Sequence, residues 1–171
     1  LLKPASREDI ERVVQLARRA RDPATVFTFD PPPARLLRPD HAPAPLTWLE
    51  RKLELLNELG VDATIVYPTD ESFLHLGARE FFETGVRDRL GTQARVEGPN
   101  FLFGRGRQGN TDLLARCCQG AGVPLEVVEP VQYAGQAISS SRIRTVLAAG
   151  DVDSARAMLV KPYRIRGLVV H

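Results

Sequence analysis

Short β-branched and aromatic runs alternate with stretches of helical periodicity along nearly the whole chain, and this alternation limits the fold more than any other feature. Residues 24–29 form one apolar run, which halts at Asp30-Pro31-Pro32-Pro33, where three prolines forbid both helix and paired strand. Residues 61–67, 93–97 and 124–128 read as further strands, the first of these closed by Pro68. Between them lie helices. Ser6-Arg7-Glu8-Asp9 has the form of a capping box ahead of Ile10, Val13, Val14, Ala17 and Ala20 at helical spacing. Thr47 and Glu50 form a second box before the stripe Leu49, Leu53, Leu56 and Leu59, which ends at Gly60. Residues 78–90 carry Phe81, Phe82, Val86 and Leu90 in helical rhythm, weakened by Gly85 and ended by Gly91, and Asn110 caps a helix through Ala121. Residues 69–76 give no assignable pattern. Helices between successive strands are the crossovers that parallel pairing requires, so the expected class is α/β, a mostly parallel sheet flanked by helices. Ligands in such sheets sit outside the carboxyl ends of the strands, which singles out the loops after Phe29, Glu97 and Val128.

Composition narrows the function. The 171 residues, 43% hydrophobic and 26% charged, suffice for one globular core. A net charge of +2, with arginines spread along the chain, suits small anionic ligands better than polymeric nucleic acid. Cys117 and Cys118 are sequence neighbours that cannot staple distant segments, so free thiols and a cytoplasmic setting are expected. No apolar run approaches the roughly 18 residues of a membrane span, and no signal peptide opens the sequence.

Two stretches carry chemistry. In Ala137-Ile138-Ser139-Ser140-Ser141-Arg142-Ile143-Arg144 a serine run opens a helix, offering free N–H groups and hydroxyls to phosphate oxygens, with an arginine one turn on. The bland reading is an ordinary serine cap followed by a solvated arginine. Residues 98–107, Gly-Pro-Asn-Phe-Leu-Phe-Gly-Arg-Gly-Arg, suit a loop that approaches a planar ligand closely and carries charge beside it, or a strand-end turn with core phenylalanines. The last helices, 140–149 and 153–159, precede an alternating segment, Lys161-Pro162-Tyr163-Arg164-Ile165 onward, that reads as the first strand of something further.

Taken in order, Thr28-Phe29-Asp30-Pro31, residues 53–62, 101–110 and 138–144, Gly150-Asp151-Val152, and Lys161-Pro162-Tyr163-Arg164-Ile165 with Gly167 and Val169-Val170-His171 closely resemble the adenylyltransferase module of bacterial FAD synthetases. Those are bifunctional riboflavin kinase and FMN adenylyltransferase enzymes. The resemblance implies a Rossmann-like nucleotidyltransferase fold, Mg²⁺ dependence, ATP and FMN as substrates, and FAD and pyrophosphate as products. It implies residues 1–160 as the adenylyltransferase domain and 161–171 as the start of a riboflavin kinase domain. Partners would be small molecules, riboflavin included for the full-length enzyme, with neither nucleic acid nor membrane among them and a homo-oligomer left open.

On this reading Arg144 is the catalytic residue, bracing the β and γ phosphates of ATP with Ser139, Ser140 and Ser141. Arg142 is a surface or accessory group. Asn100, Phe101 and Phe103 take the flavin, and Arg105 and Arg107 either meet its phosphate or are solvated charge. Asp30 positions a ligand or Mg²⁺, or simply forms the turn before Pro31; no protein metal cluster is expected. Trp48 is packing.

Two departures stand out. Family members place a glycine-rich stretch with a His-x-Gly-His signature between the first strand and the first helix, where the histidines and the helix N-terminus hold the nucleotide phosphates; residues 1–6 stand there instead, and His41, His75 and His171 do not fit. Either a segment preceding the first helix lies outside the sequence given, which is favoured because the match resumes partway along that helix, or the chain is a degenerate, non-catalytic flavin or nucleotide binder. A different Rossmann-like nucleotidyltransferase is the remaining alternative. Second, Pro32 stands where the Phe-Asp-Pro loop often has histidine.

Overall fold

The computed structural model describes residues 4–88, 91–159 and 161–167. Helix α1 (Pro4–Ala20) leads into β1 (Thr25–Phe29), and a short α2 (Pro33–Leu37) follows. Proline is tolerated in the first turn, where its missing N–H has no partner to lose, so the proline loop ends in a helix that the sequence reading excludes. Next come α3 (Leu49–Glu58), β2 (Ala63–Tyr67), α4 (Glu71–His75) and α5 (Ala78–Glu80), which runs on as a π-helical segment, Phe81–Asp88. Helix α4 fills the stretch without sequence pattern, capped by Asp70, whose carboxylate accepts from the Phe73 N–H at 2.8 Å. Strand β3 (Arg95–Glu97), α6 (Thr111–Ala121) and β4 (Leu125–Val127) precede a hairpin, β5 (Gln132–Tyr133) and β6 (Gln136–Ala137). Helices α7 (Ser140–Ala148) and α8 (Val152–Met158) end the ordered sequence of elements.

Local signals held in several places. Asn110, Ser139 and Asp151 cap their helices by accepting from Leu113, Arg142 and Ser154. Two capping boxes did not form. Helix α1 already begins at Pro4, so Ser6 lies inside it, and the N-cap of α3 is Trp48, with no side-chain bond from Thr47 to the helix N–H groups. The helix expected over 78–90 is present to Asp88, and Leu90 lies outside the described residues. Residues 161–167 are exposed and form no strand; Lys161 pairs with Glu58, and the remainder of the expected strand, Leu168–His171, lies outside the described residues.

The strands pair as β1–β2 and β3–β4, both parallel, plus the antiparallel β5–β6 hairpin. The single mostly parallel sheet is therefore two separate parallel pairs among the described residues. Each pair carries helices on both faces. Val26 packs with Ile10 and Val14 of α1 and Leu56 of α3, while Phe27 and Phe29 turn the other way, onto Tyr67 and Phe73. In the second pair, Glu126 meets Arg12 of α1 at 2.5 Å, while Leu125 faces the cluster of Phe81, Phe82, Leu114 and Cys118. Thus α1 underlies both pairs and the α4–α5 segment covers them. Full burial of Leu56 and Leu114 in these layers, and of Ile143 and Met158 beyond them, contributes about 1.5–3 kcal/mol each. Ile143 and Met158 belong to a separate cluster with Leu46, Ile138 and Leu159.

Candidate functional site

Helix α7 follows its sequence prescription closely. The Ser139 hydroxyl accepts from the Arg142 N–H at 3.1 Å, and the apolar side chains of Ile138 and Ile143 anchor the turn in the core, so the serines stay half-buried or exposed at its start. Arg142 is committed elsewhere. Its guanidinium donates to the carbonyls of Tyr133 at 2.8 Å and Gln136 at 2.9 Å and lies 5.5 Å from the Tyr133 ring centre, bracing the β5–β6 hairpin. Arg144 donates its Nε to the Ala44 carbonyl at 2.7 Å. Among the described residues its two terminal nitrogens carry no hydrogen bond, and they form a positive fork held by a fixed stem.

The loop after β3 is built on close approach. Phe103 and Gly109 exchange backbone hydrogen bonds at 3.1 and 2.9 Å, and a Cβ on Gly109 would lie 2.8 Å from the Phe103 ring. Gly104, at φ +73°, would place a Cβ 2.6 Å from the Ala78 backbone. The Arg105 N–H donates to the Leu76 carbonyl at 2.7 Å, pinning the far side of the loop. Phe103 is 6% exposed and belongs to the core; Phe101 stacks on it at 5.3 Å and is half-buried. Asn100 and the side chains of Arg105 and Arg107 are exposed.

Charges that the sequence reading did not single out converge near these loops. The Arg95 guanidinium lies 5.5 Å from the Phe101 ring centre and donates to Glu97 at 2.7 Å. Burial pushes the Glu97 carboxyl up, against the opposing pull of Arg95. Lys52 of α3 donates to the Thr28 hydroxyl at 3.2 Å; burial lowers its pKa, and Asp30, exposed at the end of β1, partly offsets that. Nothing local marks Lys52, which sits beside a leucine stripe like any solvated residue.

A cavity of about 810 Å³ opens between the two strand pairs, with Ile10 and Val13 of α1 below and Phe73 and Phe81 above. None of the residues nominated from sequence lines it; Lys52, Arg95 and Glu97 do. The structure brings Asn100, Phe101, Phe103 and Arg105 together on one loop. It sets Ser139, Ser140, Ser141 and Arg144 on the helix that contributes Ile143 to a different apolar cluster, with no hydrogen bond, ion pair or ring contact joining the two groups among the described residues. Among those residues no three His, Cys, Asp or Glu side chains gather as a metal site, and no helix is long and apolar enough to cross a membrane. His75 hydrogen-bonds the Glu71 carbonyl at 2.6 Å, His41 is exposed, and His171 lies outside the described residues.

A family model described as FAD synthetase matches residues 7–142. A bifunctional riboflavin kinase/FMN adenylyltransferase of Pseudomonas fluorescens is 34% identical over 161 residues, 94% of this chain and 50% of the relative. Those of Escherichia coli and Bacillus subtilis are each 34% identical, over 87% and 85% of this chain and 48% and 46% of theirs. The chain spans about half the length of these curated relatives. A solved structure described as a macrolide-efflux protein from Streptococcus pneumoniae shares the fold, with TM-score 0.83 over 94% of this chain and 52% of that one, at 24% identity.

Proposed function

The chain belongs to the FAD synthetase family, and on that premise we propose that it transfers AMP from ATP to FMN, giving FAD and pyrophosphate. Family membership carries the reading, because it extends across the Asn100 loop and into the first turn of α7. The bond formed joins an FMN phosphate oxygen to the α-phosphorus of ATP; the bond broken releases pyrophosphate. Such transfers ask for positioning and charge stabilisation and little covalent work.

Arg144 suits that task. Its stem is tied to Ala44, its terminal nitrogens carry no hydrogen bond among the described residues, the N-terminus of its helix is capped by Ser139, and Ser140 and Ser141 add hydroxyls, so we assign this group to the β and γ phosphates. Phe101 would pack on the isoalloxazine with Phe103 backing it from the core, and Asn100 would meet a polar edge of the ring. Arg105 would attract the FMN phosphate, and Asp30 would orient the ligand at the end of β1. Magnesium, when bound, neutralises phosphate charge. With no three-ligand protein cluster among the described residues, its oxygens would come chiefly from the nucleotide.

The finer fold assignment, a Rossmann-like nucleotidyltransferase in residues 1–160, belongs to the same proposal, as does a riboflavin kinase domain beginning in 161–171. So do the cytoplasmic setting, which suits free Cys117 and Cys118, and a small-molecule repertoire without nucleic acid or membrane. The test is direct: FMN, ATP and Mg²⁺ are added and FAD is followed chromatographically. FAD formation that depends on Arg144 supports the proposal, and flavin binding with no FAD formed by the intact encoded polypeptide rejects it.

A further inference from the structure

Arg144 is oriented by backbone that lies 100 residues earlier in the chain. Its Nε donates to the Ala44 carbonyl at 2.7 Å, a charge-assisted length, and a planar guanidinium bound at Nε leaves its Nη1 and Nη2 edge to other acceptors. The direction of one carbonyl therefore decides where that edge points.

Sequence and packing fix that carbonyl. After a single 3₁₀ turn, Pro39–His41, the chain runs Ala42-Pro43-Ala44-Pro45-Leu46. Proline locks its own φ at about −65° and pushes the preceding residue into extended backbone, so Pro43 and Pro45 restrain every residue from Ala42 to Pro45. Ala42 shows the effect, at φ −66° and ψ 126°. Pro45 restricts ψ of Ala44, the torsion that aims its carbonyl. Leu46 then anchors the run. It is 9% exposed and belongs to the cluster whose other buried members, Ile138, Ile143, Met158 and Leu159, all come from the last helices and the residue leading into them. Two attachments thus stand two residues apart on the segment: Ala44 bonds Arg144, and Leu46 shares a core with Ile143, the residue before it. Pro43, Ala44 and Pro45 are exposed, so what they supply is rigidity and not buried surface.

We infer that residues 42–46 are a positioning element for phosphate binding: the Ala44 carbonyl, aimed by Pro45 and anchored through Leu46, holds the Arg144 guanidinium ready for a pyrophosphate-type group, so little side-chain freedom is lost when that group binds. The inference rests on the assignment of Arg144 to the β and γ phosphates. Ala44, Pro45 and Leu46 act through Arg144 and not by contact with the ligand. Lysine cannot replace Arg144 here, because one ammonium cannot hold the carbonyl and also present a fixed planar pair of donors.

Magnesium pyrophosphate, titrated calorimetrically into this 171-residue chain and its variants, tests the inference without relying on FAD formation. Arg144→Ala should weaken binding about 10- to 100-fold, and Arg144→Lys nearly as much. Pro45→Gly, which frees Ala44 at an exposed position, should weaken it about three- to tenfold, as should Leu46→Ala, which loosens the anchor. In an Arg144→Ala background neither change should weaken it further, since both act through the guanidinium. Nitrogen-15 spectra add a signature that general destabilisation does not mimic: the Arg144 Nε–H, slow to exchange in the parent, should exchange like a solvated arginine in Pro45→Gly while backbone amides of α7 keep their protection. Coupled losses in a protein that forms no FAD would reject AMP transfer and still support this inference. Equal losses from Pro45→Gly with and without Arg144, unchanged affinity in Pro45→Gly, full binding by Arg144→Lys, or a parent chain that binds no pyrophosphate would each overturn it.

Discussion

Gly104 to alanine is the sharpest perturbation of the flavin-side loop, because two costs add at one atom. The residue adopts φ +73° and ψ 171°, a region essentially reserved for glycine, which costs a side chain about 1–3 kcal/mol. The new Cβ would also lie 2.6, 2.7 and 2.9 Å from the Cα, N and Cβ of Ala78. Ala78 is 3% exposed and opens α5, so its backbone has no room to retreat, and overpacking adds about 1–3 kcal/mol. Gly104→Ala should therefore lose roughly 2–5 kcal/mol, or about 5–20 °C in Tm for a chain of this length. Gly106→Ala is the internal control. Its φ is +61° with nothing within 4 Å of the added Cβ, so it should lose only about 1 kcal/mol. Urea unfolding followed by circular dichroism measures both. Equal losses at the two glycines would refute the close-approach argument, since backbone preference alone would then account for each.

Arg144→Ala should lower FAD formation about 100-fold or more while costing only about 1 kcal/mol of unfolding free energy for the lost bond to Ala44, as measured by initial rates beside urea melts. Arg142→Ala should instead cost about 2–3 kcal/mol of stability, because two charge-assisted bonds to the hairpin carbonyls are lost; Arg142→Lys should recover only part of it. Lys52 gives a pH signature. Its pKa in the folded chain lies below the ordinary lysine value, so between the two values the unfolded chain binds more protons and stability rises with pH. Lys52→Met should flatten that alkaline rise in urea melts. Glu97 has the opposite slope: its raised pKa makes stability fall as pH climbs from the ordinary glutamate value through the raised one, a fall that acid-range melts should resolve.

Much of the local structure was legible because its causes are local. β1 and β2 announced themselves by β-branched and aromatic residues, and α6 and α7 by Asn110 and Ser139, whose side chains act within three residues. The site was legible only in outline. The loop at 98–107 and the serine-headed helix stand where the sequence placed them, Phe103 takes the core alternative and Arg142 the accessory one, while Lys52, Arg95 and Glu97 were silent.

The chain by itself determined its family, its alternation of strand and helix, and the residues that end or cap each element, since these depend on periodicity and on neighbours a few positions apart. Only tertiary structure decided that, among the described residues, β1–β2 and β3–β4 form two separate parallel pairs, and that a lysine from α3 and an arginine from β3 border the same cavity. Those outcomes depend on pairing and burial between segments tens of residues apart, which no short window of sequence encodes.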